Sequence, residues 1–241
     1  MLIINHLTKH YKGGSKGVTD LSLHVMPGDI CAFIGHNGAG KTTTLKCIAG
    51  IHGYDAGEIR IGGISLHDDP LVCKQMTAYI PDNPDLYEYL TGIQYLNFIA
   101  DIFKVPAGER KERIKRYGDE FEITESFGDL ISSYSHGMKQ KLAIISALLH
   151  EPRLLVLDEP FVGLDPKASV ILKERMRKLC AGGGAIFFST HVLEVAEKLC
   201  NKVAMIKEGR LIAEGTMEEV VKQGNTLESI FMEVVNNAGA D

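Results

Sequence analysis

Residues Gly35 to Thr43 read GHNGAGKTT and match the pattern of a glycine, any four residues, then glycine, lysine and threonine. A strand-like run, Ile30 to Ile34, leads into this stretch, and a helix-compatible run, Thr42 to Ala49, leads out of it. The motif requires that context, a tight loop between a strand and the N-terminus of a helix. The sequence therefore predicts a phosphate-binding loop, and the flanking elements disfavour an ordinary glycine-rich turn.

Each residue type in this loop suits phosphate chemistry. Gly35, Gly38 and Gly40 let the backbone turn with its N–H groups pointing inward, where they and the helix dipole hold phosphate oxygens. The Lys41 ammonium would reach the β- and γ-phosphates, and the Thr42 hydroxyl is placed to bind Mg²⁺. The candidate nucleotide-binding residues of the loop are Gly35, His36, Asn37, Gly38, Ala39, Gly40, Lys41, Thr42 and Thr43.

Composition limits the class of protein. The 241 residues can bury a sizeable core, and 26 basic and 31 acidic residues give a net charge of −5. The charges are mixed along the chain, which argues against a nucleic-acid partner held by a broad basic surface. We therefore expect no nucleic-acid partner.

Cysteine usage and hydropathy indicate the compartment. The five cysteines are widely spaced and form no C-x-x-C pair, so neither a disulfide framework nor a zinc site is predicted. A reducing cytosol fits best. The N-terminus lacks the apolar core of a signal peptide, and no uncharged apolar run approaches the roughly 18 residues of a membrane span. We expect that the chain is not itself a membrane protein.

Short apolar runs alternate with helical patterns along the chain. Three glycine-separated runs near the N-terminus, Leu2 to Leu7, Thr19 to Val25 and Glu58 to Ile64, predict an antiparallel β subdomain. Residues 154–157 and 185–189 are continuous apolar runs, typical of strands covered on both faces. This alternation predicts an α/β fold with a mostly parallel sheet and helices on both faces.

A helical segment is predicted between residues 83 and 151, after the break made by Pro81 to Pro84. Thr91 is expected to cap its first helix, whose apolar residues recur at spacings of three and four. Further helices are predicted over Ala107 to Phe121 and over Tyr134 to His150. The basic residues of the second helix could suggest nucleic acid, but the interspersed acids favour a solvated helical face.

Chemically useful residues follow three separate strands. Lys41, Asp158 and His191 each come just after an apolar run. Ligands of open α/β sheets bind beyond the carboxyl ends of the strands, so we expect these residues to meet in one site. Tyr11 ends the first N-terminal run beside a flexible stretch, residues 12–15, where an adenine could stack. The alternative for Tyr11 is packing on a strand edge.

Together these motifs resemble those of nucleotide-binding subunits of ATP-binding cassette (ABC) transporters. In the family's terms, GHNGAGKTT at 35–43 is Walker A, LLVLDEP at 154–160 is Walker B, GLD at 163–165 is the D-loop, and STH ends at His191. The resemblance covers residues 2 to about 216 and implies a P-loop NTPase core. It implies one domain over 1–241, with a core of 1–82 and 152–216, a helical subdomain of 83–151 and a tail of 217–241.

The resemblance also implies roles and cofactors. It implies that Asp158 orders Mg²⁺ through its water shell, that Glu159 polarises the attacking water, and that His191 holds the γ-phosphate and that water in line. Tyr11 falls where the family keeps its adenine-stacking aromatic residue. The cofactors implied are ATP and Mg²⁺, and Lys41, Glu159 and His191 are the candidate catalytic residues.

Two departures from the family pattern concern the site. The family signature LSGGQ corresponds to Tyr134 to Met138, which keeps Ser135 and Gly137 as candidate ATP contacts and replaces the other three residues. At Asp82 the family usually places a glutamine that reaches the metal and the attacking water. Asp82 is a shorter, charged side chain, and we assign it with Thr42 and Asp158 as a candidate for the metal site.

The partners implied are a second cassette, expected to be a homodimer partner, and a separate transmembrane permease. ATP would be clamped between two cassettes, with Ser135 and Gly137 facing the nucleotide of the opposite subunit. The chain would sit on the cytoplasmic face of the cell membrane. Residues 82–91, with Pro84, Leu86, Tyr87, Tyr89 and Leu90, are predicted to receive a short permease helix, the alternative being that they pack the helical subdomain.

The stretch YIPDNPDLYEYLTG at 79–92 and the YSHGM signature resemble subunits that export drugs, peptides or polymers. Three alternatives stay open: the ATPase of an importer, a soluble cassette protein acting on ribosomes or DNA, and a regulatory module without hydrolysis. The soluble class usually carries paired cassettes or long coiled-coil insertions, which this chain lacks. Glu159 and His191 speak against the regulatory module.

Overall fold

The computed structural model describes residues 1–11, 13, 17–221 and 226–237, with side chains as far as residue 232. Within these ranges the strands are β1 (Leu2–His10), β2 (Gly17–Val25), β3 (Ile30–Ile34), β4 (Ala56–Ile61), β5 (Ile64–Ser65), β6 (Thr77–Ile80), β7 (Leu154–Asp158), β8 (Ala185–Thr190), β9 (Lys202–Lys207) and β10 (Arg210–Thr216). The α-helices are α1 (Lys41–Ile48), α2 (Pro70–Met76), α3 (Gly92–Ile102), α4 (Ala107–Glu120), α5 (His136–Leu148), α6 (Pro166–Ala181), α7 (Leu193–Leu199), α8 (Met217–Val220) and α9 (Leu227–Asn237).

The larger sheet runs in the order β10, β9, β3, β8, β7, β6. Pairing is parallel from β9 through to β6, and β10 pairs antiparallel with β9. Every residue of β3, β7 and β8 is buried, as their continuous apolar runs predict. The α/β fold with a mostly parallel sheet is therefore confirmed.

This sheet separates two hydrophobic cores, because successive side chains of a strand point to opposite faces. In β3, Ile30, Ala32 and Ile34 lie in one core, whereas Cys31 and Phe33 lie in the other. Buried residues of α3, α5 and α6 complete the first core. On the second face, helix α1 packs together with the antiparallel sheet.

The antiparallel sheet has the order β2, β1, β4, β5. Its strands confirm the predicted N-terminal β subdomain. Leu21, Leu23 and Val25 of β2 point inward at every second position and join the core around α1. The N–H of Thr19 also donates to Gly209 O in the β9–β10 turn at 2.8 Å, which ties the small sheet to the edge of the large one.

Helices α3, α4 and α5 follow one another between β6 and β7. Thr91 caps α3 as predicted: its hydroxyl accepts the Gln94 N–H at 3.3 Å, and the Gln94 side chain accepts the Thr91 N–H at 2.9 Å. Ile114 and Leu142, from α4 and α5, belong to the same core as the large sheet. The boundaries of the helical subdomain at 83 and 151 stay a prediction.

Helix α2 and strand β6 are not predicted from the sequence. Asp69 begins α2 by accepting the Val72 N–H at 3.2 Å, and Pro70 occupies the first turn. Strand β6 then pairs in parallel with β7, from Thr77 opposite Leu154 onward. This pairing places Asp82, two residues beyond β6, at the carboxyl edge of the sheet.

The C-terminal part of the chain folds back on α7. The N–H of Leu227 donates to Glu197 Oε1 at 3.0 Å, and the Leu227 side chain is fully buried. The predicted tail, 217–241, thus contains α8 and α9, while residues 222–225 and 238–241 lie outside the described ranges. In the part of the chain described, we find no helix with the length and apolar character of a membrane span.

Candidate functional site

An open cleft of about 910 Å³ lies at the carboxyl edge of the large sheet. It is bounded by the Walker A loop, by the end of β1 and by the residues that follow β6 and β7. Most of the predicted site residues meet here. The described residues that line it are Tyr11, Gly13, Gly17, His36, Asn37, Gly38, Gly40, Lys41, Thr42, Thr43, Asp82, Asp158 and Glu159.

The loop glycines serve two different purposes. Gly38 and Gly40 have φ values of 82° and 111°, which residues with a Cβ rarely adopt, and Gly40 immediately precedes α1. Gly35 is required for space, since a Cβ there would lie 2.5 Å from Ile206 O. The loop thus turns tightly against β9 and directs the N-terminus of α1 at the cleft, where an anion is stabilised.

Lys41 is a buried cation at the floor of the cleft. Its Nζ donates to Gly35 O at 2.6 Å and to His36 O at 3.4 Å, and lies 3.9 Å from Glu159 Oε1. Burial lowers the pKa of the ammonium, and the carboxylates of Glu159 and Asp158 oppose that shift. The arrangement points a positive charge at the space enclosed by the loop.

Asp158, the last residue of β7, is 3% exposed and has a hydroxyl partner on each carboxylate oxygen. The Thr42 hydroxyl donates to Oδ2 at 2.7 Å, and the Ser189 hydroxyl donates to Oδ1 at 2.5 Å. Parallel register sets Asp158 directly beside Ser189. These contacts fix the carboxylate next to the start of α1.

Glu159 points away from the partners of Asp158, toward Lys41 and His191. Its Oε2 lies 3.0 Å from His191 Nδ1 and accepts the His191 N–H at 3.3 Å. The backbone at Glu159 has a φ of 46°, in the left-handed region. The two adjacent carboxylates therefore have separate partners, and Lys41, Asp158 and His191 meet at one edge of the sheet as the sequence predicts.

The oxygen donors at this edge fit Mg²⁺. Thr42 and Asp158 already touch through their oxygens, and Asp82 lines the same cleft. Among the described residues no group of three or more His, Cys, Asp and Glu side chains is arranged to hold a metal alone. Mg²⁺ typically uses one or two carboxylates together with phosphate oxygens and water. The residues present suit an ion that arrives with a nucleotide.

Tyr79 contributes a hydroxyl that the sequence analysis overlooked. Its ring packs against the core formed by α1 and the antiparallel sheet. Its buried hydroxyl oxygen has no hydrogen-bond partner among the described residues. Burial raises the pKa of the Tyr79 phenol, and the charges of Asp158 and Asp82 raise it further. The Tyr79 hydroxyl therefore remains protonated near the two carboxylates.

Tyr11 lies at the rim of the cleft with 40% of its surface exposed. Its hydroxyl is 3.4 Å from Thr43 Oγ1, and its ring meets His52 edge-on at a centroid distance of 6.0 Å. Lys12, Gly14 and Ser15 of the predicted flexible stretch lie outside the described residues. An exposed ring beside the loop leaves a surface on which an adenine could stack, and that role stays a prediction.

Ser135 and Gly137 are not among the described residues that line the cleft. The Ser135 hydroxyl caps α5 by accepting the Met138 N–H at 3.3 Å. Gly137 packs on the turn after β7, where a Cβ would lie 3.0 Å from Gly163 O. The signature segment therefore contacts the D-loop of its own chain and presents its serine elsewhere than the cleft.

A protein-family model described as ABC transporter matches residues 18–162 of the chain. The chain belongs to the ABC transporter family. It is an ATP-binding subunit of such a transporter and an ATPase.

Named relatives cover most of this ABC subunit. An uncharacterized ABC transporter ATP-binding protein of Nostoc sp. is 37% identical, over 85% of this chain and 61% of that protein. The linearmycin resistance ATP-binding protein LnrL of Bacillus subtilis is 32% identical, over 99% of this chain and 77% of its own length. The Nod factor export ATP-binding protein I of Paraburkholderia xenovorans is 38% identical, over 86% and 69% respectively.

Solved structures show the same fold. One titled "Structure of ATP binding subunit of ABC transporter" superposes with a TM-score of 0.93 at 36% identity, covering 98% of this chain and 99% of that one. A dimeric post-hydrolysis cassette, MJ0796 bound to ADP and Pi, has a TM-score of 0.82 at 22% identity, covering 90% and 99%. The second similarity concerns the fold alone.

Ser189 is the site residue that sequence reasoning missed most clearly. It appears in the sequence analysis as the end of an apolar run and as the first residue of STH, with no role assigned to it. A signal was nevertheless present, because a hydroxyl residue inside a buried strand needs a hydrogen-bond partner. Asp158, at the end of the neighbouring strand, is that partner.

Proposed function

We propose that this chain hydrolyses ATP with Mg²⁺ to drive export through a separate transmembrane permease, working as one of two cassettes at the cytoplasmic face of the membrane. The observation that carries the proposal is the convergence of Lys41, Asp158, Glu159 and His191 at the mouth of the Walker A loop. These are the charged groups that phosphoryl transfer requires around a γ-phosphate.

Each of these residues has a part in binding the triphosphate. The loop N–H groups and the Lys41 ammonium bind the β- and γ-phosphates, and Tyr11 stacks on the adenine. Thr42 and Asp158 would hold Mg²⁺, with Asp82 nearby, and the ion neutralises phosphate charge when bound. The 2.7 Å contact between the Thr42 hydroxyl and Asp158 supports this assignment, because it brings two hard oxygen donors together.

Hydrolysis requires a water placed in line with the bond to be broken. Glu159 accepts a proton from that water as the water oxygen bonds to the γ-phosphorus, the bond to the β-γ bridging oxygen breaks and ADP leaves. Glu159 then releases the proton to solvent, and the γ-phosphate leaves as hydrogen phosphate. His191, 3.0 Å from Glu159, holds the water and the γ-phosphate together. Such positioning supplies most of the catalysis in phosphoryl transfer.

A second cassette is needed to close the site. The open cleft exposes the position of the γ-phosphate, while Ser135 and Gly137 of the same chain face elsewhere. We propose a homodimer in which those residues of each subunit contact the ATP of the other. The exposed N-terminus of α5 at Ser135 supports this role, since it offers N–H groups and a hydroxyl to an anion.

The permease would dock on an aromatic surface formed by Tyr87, Tyr89 and Phe98. The Tyr87 ring lies 5.9 Å from the Tyr89 ring and 5.6 Å from the Phe98 ring, measured between centroids. Tyr87 is 45% exposed, Tyr89 75% and Phe98 41%. The surface follows Asp82, so a docked helix would lie close to the cleft. Pro84 and Leu86, which the sequence assigned to this surface, are buried, and Leu86 belongs to the core that contains α3 and α5.

Export is the direction that the named relatives favour, because two of them are named for Nod factor export and linearmycin resistance. An importer remains the alternative direction. A soluble cassette acting on ribosomes or DNA is disfavoured by the net charge of −5 and by the exposed aromatic surface, which suits a protein partner.

Crosslinking in native membranes tests the partner directly. The five native cysteines are buried, so a cysteine introduced at Tyr87 or Tyr89 would be the reactive thiol. We expect Tyr87→Cys and Tyr89→Cys to form adducts with one integral membrane protein, identified by mass spectrometry. Leu71→Cys, equally exposed on α2, is the matched control and should form none. Absence of a membrane-protein adduct at both tyrosine positions would contradict the docking assignment.

A further inference from the structure

A second cavity, of about 560 Å³, opens at the opposite edge of the large sheet from the ATP cleft. It lies at the amino ends of β7 and β8, between α4 of the helical segment and the C-terminal half of α6. Nothing in the proposed ATP chemistry uses it. Its charged lining residues are Arg116, Glu151, Arg153, Arg175 and Lys178.

The lining of this cavity is strongly basic. Arg116, Arg153, Arg175 and Lys178 contribute four positive charges against the single acid Glu151, in a chain whose net charge is −5. Glu151 is itself 3.0 Å from Arg113, which adds a further cation beside the rim. A concave surface with charges of one sign concentrates the field and attracts counter-ions.

Two of these cations have no acidic partner. Arg175 pairs with Glu120, and Arg116 lies 3.8 Å from the well-exposed Glu112. Arg153 and Lys178, by contrast, form no ion pair with any residue in the described ranges. Both are exposed at the mouth of the cavity, so they are available to a ligand.

The rest of the cavity suits a small organic anion. Leu148, Pro152 and Leu179 provide an apolar floor. The edge formed by residues 182–184 carries no side chains, and a Cβ on Gly183 would meet nothing within 4 Å. A volume of about 560 Å³ lies within the range of cofactor-sized sites.

We propose that this cavity binds a soluble phosphorylated small molecule carrying at least two phosphate charges. Guanidinium groups match phosphate oxygens bidentately, and Arg153 and Lys178, which form no ion pair within the described part of the chain, would donate to the phosphate oxygens. The site is distinct from the ATP cleft: Arg153 precedes β7 and Asp158 ends it, a separation of roughly 17 Å along an extended strand.

Occupation of this site would hold two parts of the subunit together. Arg116 comes from α4, whereas Lys178 comes from α6 on the core, and the Arg175 guanidinium already lies 5.4 Å from the Tyr117 ring across the same junction. A polyanion between these helices would add charge-assisted contacts to both. The ligand would therefore favour one orientation of the helical segment relative to the sheet.

Pyrophosphate is the probe for the test, and the full chain is first saturated with ADP so that the ATP cleft is occupied. Isothermal titration calorimetry should show one pyrophosphate bound per chain. Arg153→Ala combined with Lys178→Ala should weaken that binding roughly tenfold to a hundredfold, since charged hydrogen bonds are lost. A double variant of two exposed cations elsewhere, Lys111→Ala with Arg177→Ala, removes the same charge and should bind within about twofold of wild type.

A parallel titration of Lys41→Ala separates the two sites. Pyrophosphate binding to the second cavity should persist in that variant, because Lys41 lies at the other edge of the sheet. Melting curves of every variant confirm that it is folded. The proposal is overturned if wild type binds no pyrophosphate at millimolar concentration, if both double variants lose affinity equally, or if Lys41→Ala abolishes the binding.

Discussion

The Ser189 hydroxyl donates a 2.5 Å hydrogen bond to the Asp158 carboxylate. Register produces this contact, because β7 and β8 are parallel and set the two residues side by side. The same hydroxyl oxygen accepts the N–H of Glu159 at 3.0 Å. One fully buried serine thus positions both the Asp158 carboxylate, proposed to bind Mg²⁺, and the backbone of Glu159, proposed to activate the attacking water.

Ser189→Ala should destabilise the fold and slow hydrolysis together. The change leaves the Glu159 N–H without its acceptor and Asp158 without one donor, at a cost of about 1–3 kcal/mol in the free energy of unfolding. Urea titration measures that cost. Ser146→Ala removes another buried serine hydroxyl, bonded to Ala143 O and to the Tyr95 side chain, and should leave the hydrolysis rate near wild type. Equal losses of hydrolysis rate in the two variants would show that Ser189 has no special positioning role.

Glu159→Gln should retain ATP binding and lose hydrolysis by at least about a hundredfold, since the amide is a poor proton acceptor. ATP-bound dimer should accumulate and be visible by size-exclusion chromatography. Glu208→Gln is the matched control, because Glu208 is also a glutamate in the left-handed region, with a φ of 49°, away from the cleft. Normal turnover in Glu159→Gln would place the water-activating group elsewhere.

Asp82→Asn should change the Mg²⁺ dependence of hydrolysis while metal-free nucleotide binding stays near wild type. A carboxylate near the γ-phosphate is repulsive unless the metal offsets it, so its charge matters most in the metal-bound closed dimer. Hydrolysis is measured across a Mg²⁺ titration, with Asp85→Asn, exposed in the same loop, as the control. If Asp82→Asn and Asp82→Ala both leave the titration unchanged, Asp82 is an ordinary loop acid.

His150 should make the fold sensitive to acid. Its ring stacks on Phe103 at 3.7 Å, and burial lowers the pKa of the imidazole from 6.5 to about 4. Below pH 6.5 the unfolded chain therefore takes up a proton that the folded state resists. The contribution of His150 to the free energy of unfolding is fully present above about pH 6.5. It is lost as the pH drops toward 4, which lowers the free energy of unfolding by up to about 3 kcal/mol.

Urea unfolding of wild type and His150→Phe between pH 4 and 7 tests this sensitivity. The variant should show a flatter dependence on pH in that window, because other titrating groups are common to both proteins. His24→Phe, on the exposed face of β2, should retain the wild-type dependence. Identical curves for wild type and His150→Phe would refute the assignment to His150.

Much of the fold was predictable because its decisive signals are local. Continuous apolar runs identified β3, β7 and β8, and Thr91 marked the start of α3. Strand β6 was not predicted, because its four residues are too few to show a pattern of alternating apolar and polar residues. Its position in the sheet depends on pairing with β7, which is distant in the sequence. Helix α2 has the expected cap at Asp69 but spans only seven residues, too few for a clear apolar pattern.

The site was predictable to the extent that its residues follow strands. Lys41, Asp158 and His191 were placed together because the carboxyl ends of parallel strands share one edge. The hydroxyls of Ser189 and Tyr79 were not foreseen, since their relation to Asp158 depends on register and on side-chain packing across strands. The left-handed backbone at Glu159 likewise arises from the turn after β7 and has no signature in composition.

The hydrogen bond from the Lys41 ammonium to Gly35 O should raise the affinity for nucleotide. A free lysine side chain has about 2 kcal/mol of rotamer entropy to lose on being fixed. Here the 2.6 Å hydrogen bond is made to the chain's own backbone and restrains the side chain within the loop. That entropy is lost when the chain folds, so the preorganised lysine favours association by up to about thirtyfold over a mobile one.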